Sequence, residues 1–303
     1  MPRFRCAVAS DQRGEPIFAT ASQVRRWLLV EIRGSWGRDP VINTDLGRHV
    51  SDEWRERMRA EGVRVVAIRR DLDIGGHRLV RLFSVESGNG PWRSGRIWRR
   101  DAAGLHAVPH ATESLPSGES AAAGWIAHDD ALVLVCTNGR HDSCCATFGR
   151  PLVRALREST HADSVWECSH IGGDRFAGNI VILPDSLYFG RCAPESGVGV
   201  IEAYDRGDLD LAHYRGRSTL SFMHQAAEFF ARRESSASAI DAVTAVRRVG
   251  DAADGHYDVD IAGSGTVRVT VRRSTLDAPS ALTCTGPTDV TLPRYELVSV
   301  RAD

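Results

Sequence analysis

Four residues of this 303-residue chain have types and spacings that lend themselves to chemistry: Cys136 and Cys145, with eight residues between them, and His170 and Asp174, four apart. Cys136 closes the apolar run ALVLVC and Cys145 falls where the sequence turns helical, so the two thiols hang from rigid elements. His170 and Asp174 bracket Ile171-Gly172-Gly173, a bend that glycine makes at little steric cost. Thiolate, imidazole and carboxylate on short connections are the donors of zinc and iron-sulfur sites. Neither pair is diagnostic alone; together they point to one metal site.

The neighbours of these residues are read more plainly. Cys145 sits near a helix N-terminus, where the dipole and free N–H groups favour a thiolate. Cys144 beside it must diverge from it, and is expected to pack as a small buried residue, as are the remote Cys6 and Cys284. Arg140, His141 and Asp142 occupy the loop between the two ligating cysteines, with backbone N–H groups within reach of sulfur. In VWECSH the strand period of two puts Cys168 on the same face as His170, which makes it a competitor for a fourth ligand position.

The pattern C-x8-C followed by HIGGD, with GRP at 149–151 and RFAGN at 175–179, resembles the thioredoxin-like ferredoxin domain of the bacterial sucrase/ferredoxin-like family. RCAVAS, the WLLVE strand and YRGRSTL extend the resemblance over nearly the whole chain. It implies a 2Fe-2S cluster with one iron held by two cysteines and the other by two histidines. Cys136, Cys145 and His170 fall on these positions, and Asp174 stands where the family has its second histidine. The resemblance therefore implies Cys136, Cys145, His170 and Asp174 as ligands, while the strand period keeps Cys168 as the alternative fourth. Imidazole leaves an iron with less negative charge than thiolate and raises the potential, and an anionic oxygen lowers it relative to histidine.

Composition narrows the partners. Formal net charge is −1 with pI near 6.8, which gives no electrostatic case for nucleic acid or membrane. All 38 basic residues are arginine, as in a GC-rich bacterial coding sequence, so their number is not a phosphate-binding signal. The N-terminus MPRFRCAVASDQRG lacks the apolar core of a signal peptide, and seven cysteines fit a reducing compartment, so a cytoplasmic location is expected.

The elements that must position these residues follow from period and punctuation. A buried strand over 24–32, a helix SDEWRERMRAEG capped by Ser51 and a strand VRVVAIRR form a β-α-β unit. HRLVRLFSVE and GRIWRRDAAGLHAV read as antiparallel strands, and 109–124 as a linker. The second half reads strand 131–136, helix 149–158, strand 164–169, the hairpin NIVILPD/SLYFGR and, after a loop, the helix SFMHQAAEFFARRES, the β-α-β-β-β-α order of a thioredoxin-like domain. From 240 onward alternation predicts a hairpin turned at Gly263-Ser264-Gly265. IGGHR at 74–78 echoes IGGDR at 171–175, so the first half is open to being a degenerate thioredoxin-like copy.

The fold class expected is α/β: an N-terminal α/β half over 1–123, a thioredoxin-like ferredoxin domain over 124–235 and a β-rich extension over 236–303. The function expected is one-electron transfer or redox sensing with an unidentified redox partner protein. A thiol-dependent thioredoxin-like oxidoreductase or a zinc-stabilised binding module is the competing class. The sequence shows no carboxylate pair assignable to glycoside hydrolysis, so sucrase activity is not expected.

Overall fold

A computed structural model describes residues 4–70, 79–88, 94–250, 254–277 and 279–302. Helix α1 (Cys6–Gln12) precedes β1 (Arg26–Glu31), α2 (Asp52–Ala60), β2 (Val63–Arg69), β3 (Val80–Glu86) and β4 (Arg96–Ala102). α3 (Val108–Ala111) and β5 (Ile126–Ala127) lead into β6 (Leu132–Cys136), α4 (Ser143–Arg157) and β7 (Val165–Cys168). β8 (Ile180–Leu183), β9 (Leu187–Phe189), α5 (Pro194–Asp205) and β10 (Tyr214–Arg217) follow. The chain closes with α6 (Phe222–Glu234), β11 (Val243–Val249), β12 (Gly255–Ile261), β13 (Gly265–Thr275) and β14 (Pro293–Ala302).

The first β-α-β unit forms for the reasons visible in its residues. Ser51 Oγ accepts from Trp54 N at 3.2 Å, Asp52 and Glu53 sit in the positive first turn, and Gly62 at φ +66° turns the chain into β2. β1 and β2 pair in parallel, and β3 and β4 add antiparallel strands on the far side of β1. In the second half β6 and β7 are parallel, and β8 and β9 are antiparallel beyond β6, which is the thioredoxin-like arrangement.

Strands β1 to β10 form one sheet in the order β10-β9-β8-β6-β7-β2-β1-β3-β4-β5, so strand order and direction read the same outward from its middle. The halves join there antiparallel through two residue pairs, Ile68 with Cys168 and Arg69 with Glu167. The sheet folds back on itself across this seam. Trp27 lies 6.4 Å from Tyr188 and Phe83 5.6 Å from Trp166, and one core contains residues of both halves. α2 and α3 cover the outer face of the first half-sheet, α4 and α5 that of the second.

Four expectations are corrected. α4 starts at Ser143, well before 149, so Pro151 lies in the helix interior, where it leaves the Thr147 carbonyl without its N–H partner. The helix that follows β9 is α5, in a stretch read as loop because Gly197 and Gly199 weaken its helical propensity. α6 forms as expected, but Ala226, Ala227 and Phe230 pack on a second, four-stranded sheet, β11-β12-β13-β14, in place of the single hairpin anticipated. Residues 109–124, expected as a linker, hold most of α3, and Leu115 and Ala122 pack against the residues beneath α2 and α3. The IGGHR echo at 74–78 lies outside the described residues. Among those residues no helix is long and apolar enough to cross a membrane.

Candidate metal centre

β6 is buried along its whole length, so Cys136 is delivered to the end of the sheet with no freedom to swing into solvent. The chain turns through 137–142 and enters α4, whose N-cap Asp142 accepts from Cys144 N at 2.8 Å. Gly149 sets how closely α4 crosses β6: a Cβ there would stand 2.1 Å from the Cys136 carbonyl oxygen. Cys145, in the first turn, is thereby buried beside Cys136 in the shared core.

Beyond β7 the turn 170–174 is shaped by two glycines that nothing else replaces. Gly172 has φ +96° and Gly173 φ +82°; a Cβ would meet Ser22 Oγ at 2.3 Å in the first case and Arg215 Nη2 at 2.3 Å in the second. Arg215 is 1% exposed and clamps the turn, donating to Gly172 O (3.0 Å), Asn179 Oδ1 (2.8 Å) and Thr20 O (2.6 Å), while Asn179 Nδ2 donates to Gly173 O at 2.8 Å. Burial lowers the guanidinium to about 10, so it still enters the turn as a cation at neutral pH. The Arg of YRGRS and the Asn of RFAGN are therefore what holds Asp174 in place.

Asp174 is the point on which the donors converge. Its Oδ1 accepts from the Cys145 thiol at 3.1 Å and lies 3.0 Å from His170 Nδ1, and its Oδ2 is 3.5 Å from His141 Nε2. Burial pushes the Asp174 carboxyl up. The hydrogen bonds from His141 and His170, the charge of His170 and the Cys145 thiol outweigh it and hold the group well below the usual carboxylate range. The His141 and His170 rings stack with centroids 3.7 Å apart. His141 Nδ1 faces Arg38 O at 3.3 Å, so it carries a proton, and the hydrogen bond of Nε2 to Asp174 raises the imidazole above its ordinary value against the effect of burial.

The first half of the chain roofs this centre. Asn138 Nδ2 donates to Gly37 O at 3.1 Å, the Arg38 carbonyl holds His141, and Arg64 Nη2 donates to His170 O at 2.9 Å. Below, Thr137 Oγ1 and Arg69 both donate to Glu167, at 2.6 and 2.8 Å.

The structure thus brings Cys145, His170 and Asp174 together, with Cys136 against Cys145. Cys168 faces Cys136 across the β6–β7 register, fully buried, with its thiol pushed well above the ordinary range by burial. The expectation of a thiolate at Cys145 does not hold for the metal-free site: the Cys136 thiol, burial and the negative Asp174 drive Cys145 well above an ordinary thiol, overriding the helix N-terminus. A bound cation reverses that balance.

His141, read only for its backbone N–H, is a side chain of the centre, and no feature of the sequence marks it apart from its place in the loop. Cys6, Cys144 and Cys284 are not scattered packing residues either: their sulfurs meet Asp142 in a second cluster.

Thiols on the inner side and imidazole on the outer side are the sulfur and nitrogen donors of a 2Fe-2S cluster of asymmetric ligation, with the Asp174 carboxylate where such a cluster has a second imidazole, so Cys136, Cys145 and His170 fit that group by donor type.

A family model described as sucrase/ferredoxin-like matches residues 17–216, well over half of the chain. Among curated proteins, "Altered inheritance of mitochondria protein 32" of Meyerozyma guilliermondii is 32% identical over 98 residues, covering 29% of this chain and 34% of the yeast protein. The Debaryomyces hansenii protein of that name is 32% identical over 95 residues, covering 28% and 35%. That of Candida glabrata is 26% identical over 106, covering 30% and 34%. The chain thus spans about a third of the length of these relatives, and their fungal origin leaves the bacterial part of the expected resemblance without support. Among solved structures, a variant of the thioredoxin-like 2Fe-2S ferredoxin from Aquifex aeolicus matches 28% of this chain and 97% of its own, at 17% identity and TM-score 0.25.

Proposed function

This chain belongs to the sucrase/ferredoxin-like family, and from that premise we propose that it holds a 2Fe-2S cluster and serves one-electron transfer or redox sensing. The observation that carries the reading is the convergence on Asp174 Oδ1, 3.1 Å from Cys145 Sγ and 3.0 Å from His170 Nδ1. Cys136 and Cys145 would hold one iron, His170 and Asp174 the other, with Cys168 in the core beneath. The cluster, when bound, supplies the reversible uptake of a single electron.

The chain's own residues do the rest. Burial of both cysteines excludes water from the sulfur side. Arg215 and Asn179 fix the Gly172-Gly173 turn that carries Asp174, and the Arg38 carbonyl orients His141. His170, with a side chain 27% exposed, is the route by which a proton reaches or leaves the centre and the edge a redox partner protein would approach. Asp174, held ionised, is unsuited to act as the general acid that glycoside hydrolysis requires.

One observation favours a second reading. His141 shows the arrangement of a ligating histidine, one ring nitrogen on a backbone carbonyl and the other facing the centre, and it lies with His170 and Asp174 within 4.8 Å. Those three alone form a zinc site of the competing class. Anaerobic purification followed by iron and acid-labile sulfide analysis and EPR of the dithionite-reduced protein separates the two. A brown protein with about two irons per chain and a rhombic reduced signal agrees with the cluster; colourless protein with zinc on His141, His170 and Asp174 overturns it.

A further inference from the structure

Three of the cysteines that the centre leaves unused come together from the two ends and the middle of the chain. Cys6 is the first residue of α1, Cys144 lies in the first turn of α4, and Cys284 lies in the connection between β13 and β14. Cys144 Sγ is 3.3 Å from Cys284 Sγ, which is 3.6 Å from Cys6 Sγ. Asp142 Oδ1 is 3.1 Å from Cys284 Sγ and 3.7 Å from Cys6 Sγ. The four donors all lie within 4.8 Å of one another; Cys6, Asp142 and Cys144 are buried and Cys284 stands at the rim.

We propose that Cys6, Cys144, Cys284 and Asp142 form a second metal site, distinct from the ferredoxin-like centre, that binds one zinc ion as three thiolates and a carboxylate. A tetrahedral zinc with bonds of about 2.3 Å to sulfur puts its sulfur ligands roughly 3.8 Å apart, and an oxygen ligand about 3.6 Å from each sulfur. The observed separations need only a few tenths of an ångström of adjustment. A disulfide between Cys144 and Cys284 would use two sulfurs and leave Cys6 and a 2% exposed carboxylate facing it without purpose. Three soft thiolates and one hard oxygen suit zinc, since the carboxylate disfavours copper(I).

The surroundings of the donors are those of a ligand set. Cys144 N and Cys284 N donate to the Asp142 carboxylate at 2.8 and 2.5 Å, which fixes its orientation, and Cys6 N donates to Cys284 Sγ at 3.4 Å, spreading the negative charge. Binding displaces one proton from each thiol, releases these to solvent and forms three Zn–S bonds and one Zn–O bond. The ion then staples α1, the start of α4 and the β13–β14 connection. None of this depends on the cluster.

The test is Zn K-edge X-ray absorption on the full-length protein expressed with zinc and passed over a weak chelator, because that edge is blind to iron. The expected result is stoichiometric zinc with three sulfur neighbours and one oxygen. Cys284→Ala should lose the zinc while the visible absorption of the iron centre stays. The proposal is overturned if the chelated wild-type protein keeps no zinc, if the zinc it keeps has nitrogen neighbours, or if non-reducing peptide mapping finds Cys144 bonded to Cys284. The wild-type spectrum decides even where the variant does not fold.

Discussion

Cys144 and Cys145 are adjacent in the chain and face different clusters: the Cys145 thiol is 3.1 Å from Asp174 Oδ1, the Cys144 sulfur 3.3 Å from Cys284. Successive residues of a helix point about 100° apart, so one helical turn feeds two sites with consecutive cysteines. The loop before it alternates in the same way, His141 turning to Asp174 and Asp142 to Cys284.

Replacing Cys136 or Cys145 by serine is expected to abolish stable cluster incorporation, read as iron and sulfide content. His170→Cys should keep the cluster and lower its midpoint potential by on the order of 100 mV, since a thiolate adds negative charge that an imidazole does not. A normal cluster in Cys136→Ala would refute the assignment.

The fourth ligand separates by variant. Asp174→Ala should bleach the protein, Asp174→His should raise the potential and improve retention, and Cys168→Ala should be tolerated. Bleaching in Cys168→Ala with a silent Asp174→Ala would hand the position to Cys168. Nitrogen ENDOR of the reduced protein counts one coordinated imidazole if Asp174 ligates and two if His141 takes its place.

In the metal-free protein His141 and Asp174 stabilise one another over a bounded pH window. Asp174 is depressed, so its contribution is present above the unfolded carboxylate range and is lost as pH falls through its folded value. His141 is raised, so its contribution is full below the ordinary histidine value and is lost as pH rises through the folded one. Thermal unfolding of the apo protein should therefore peak between the two ranges. Asp174→Asn should flatten that dependence and return the His141 ring titration, followed by NMR, toward its ordinary value. An unmoved titration would break the pairing.

Gly173→Ala places a methyl at φ +82° against Arg215 and is expected to cost about 2 kcal/mol or more, in the range of backbone strain at such positions. It should also displace Asp174 and lower metal retention. Chemical denaturation of the apo protein measures the first effect; unchanged stability would mean that the turn yields more easily than its packing indicates.

The ligand-bearing elements were legible because local rules place them: an apolar strand ending at Cys136, a Gly-Gly bend after His170, a Ser51 cap before α2. The parts that escaped depend on contacts far apart in sequence. Arg215 reaches Gly172 across 43 residues, His141 reaches Arg38 across 103, and Cys6 reaches Cys284 across 278. No spacing or period encodes such meetings. α5 was hidden for a different reason, since its two glycines speak against a helix that burial of Val200, Ile201 and Tyr204 nevertheless stabilises.

The near-symmetric sheet has a consequence for how the centre stays assembled. Its halves face each other as two subunits of a dimer would, joined by two residue pairs at the seam, a shared core and hydrogen bonds such as Arg64 to His170 O. Covalent connection through residues 109–124 makes the pairing intramolecular, so its strength does not fall with dilution. The Gly37 and Arg38 carbonyls that roof Asn138 and His141 are thereby kept at a fixed effective concentration whatever the abundance of the protein.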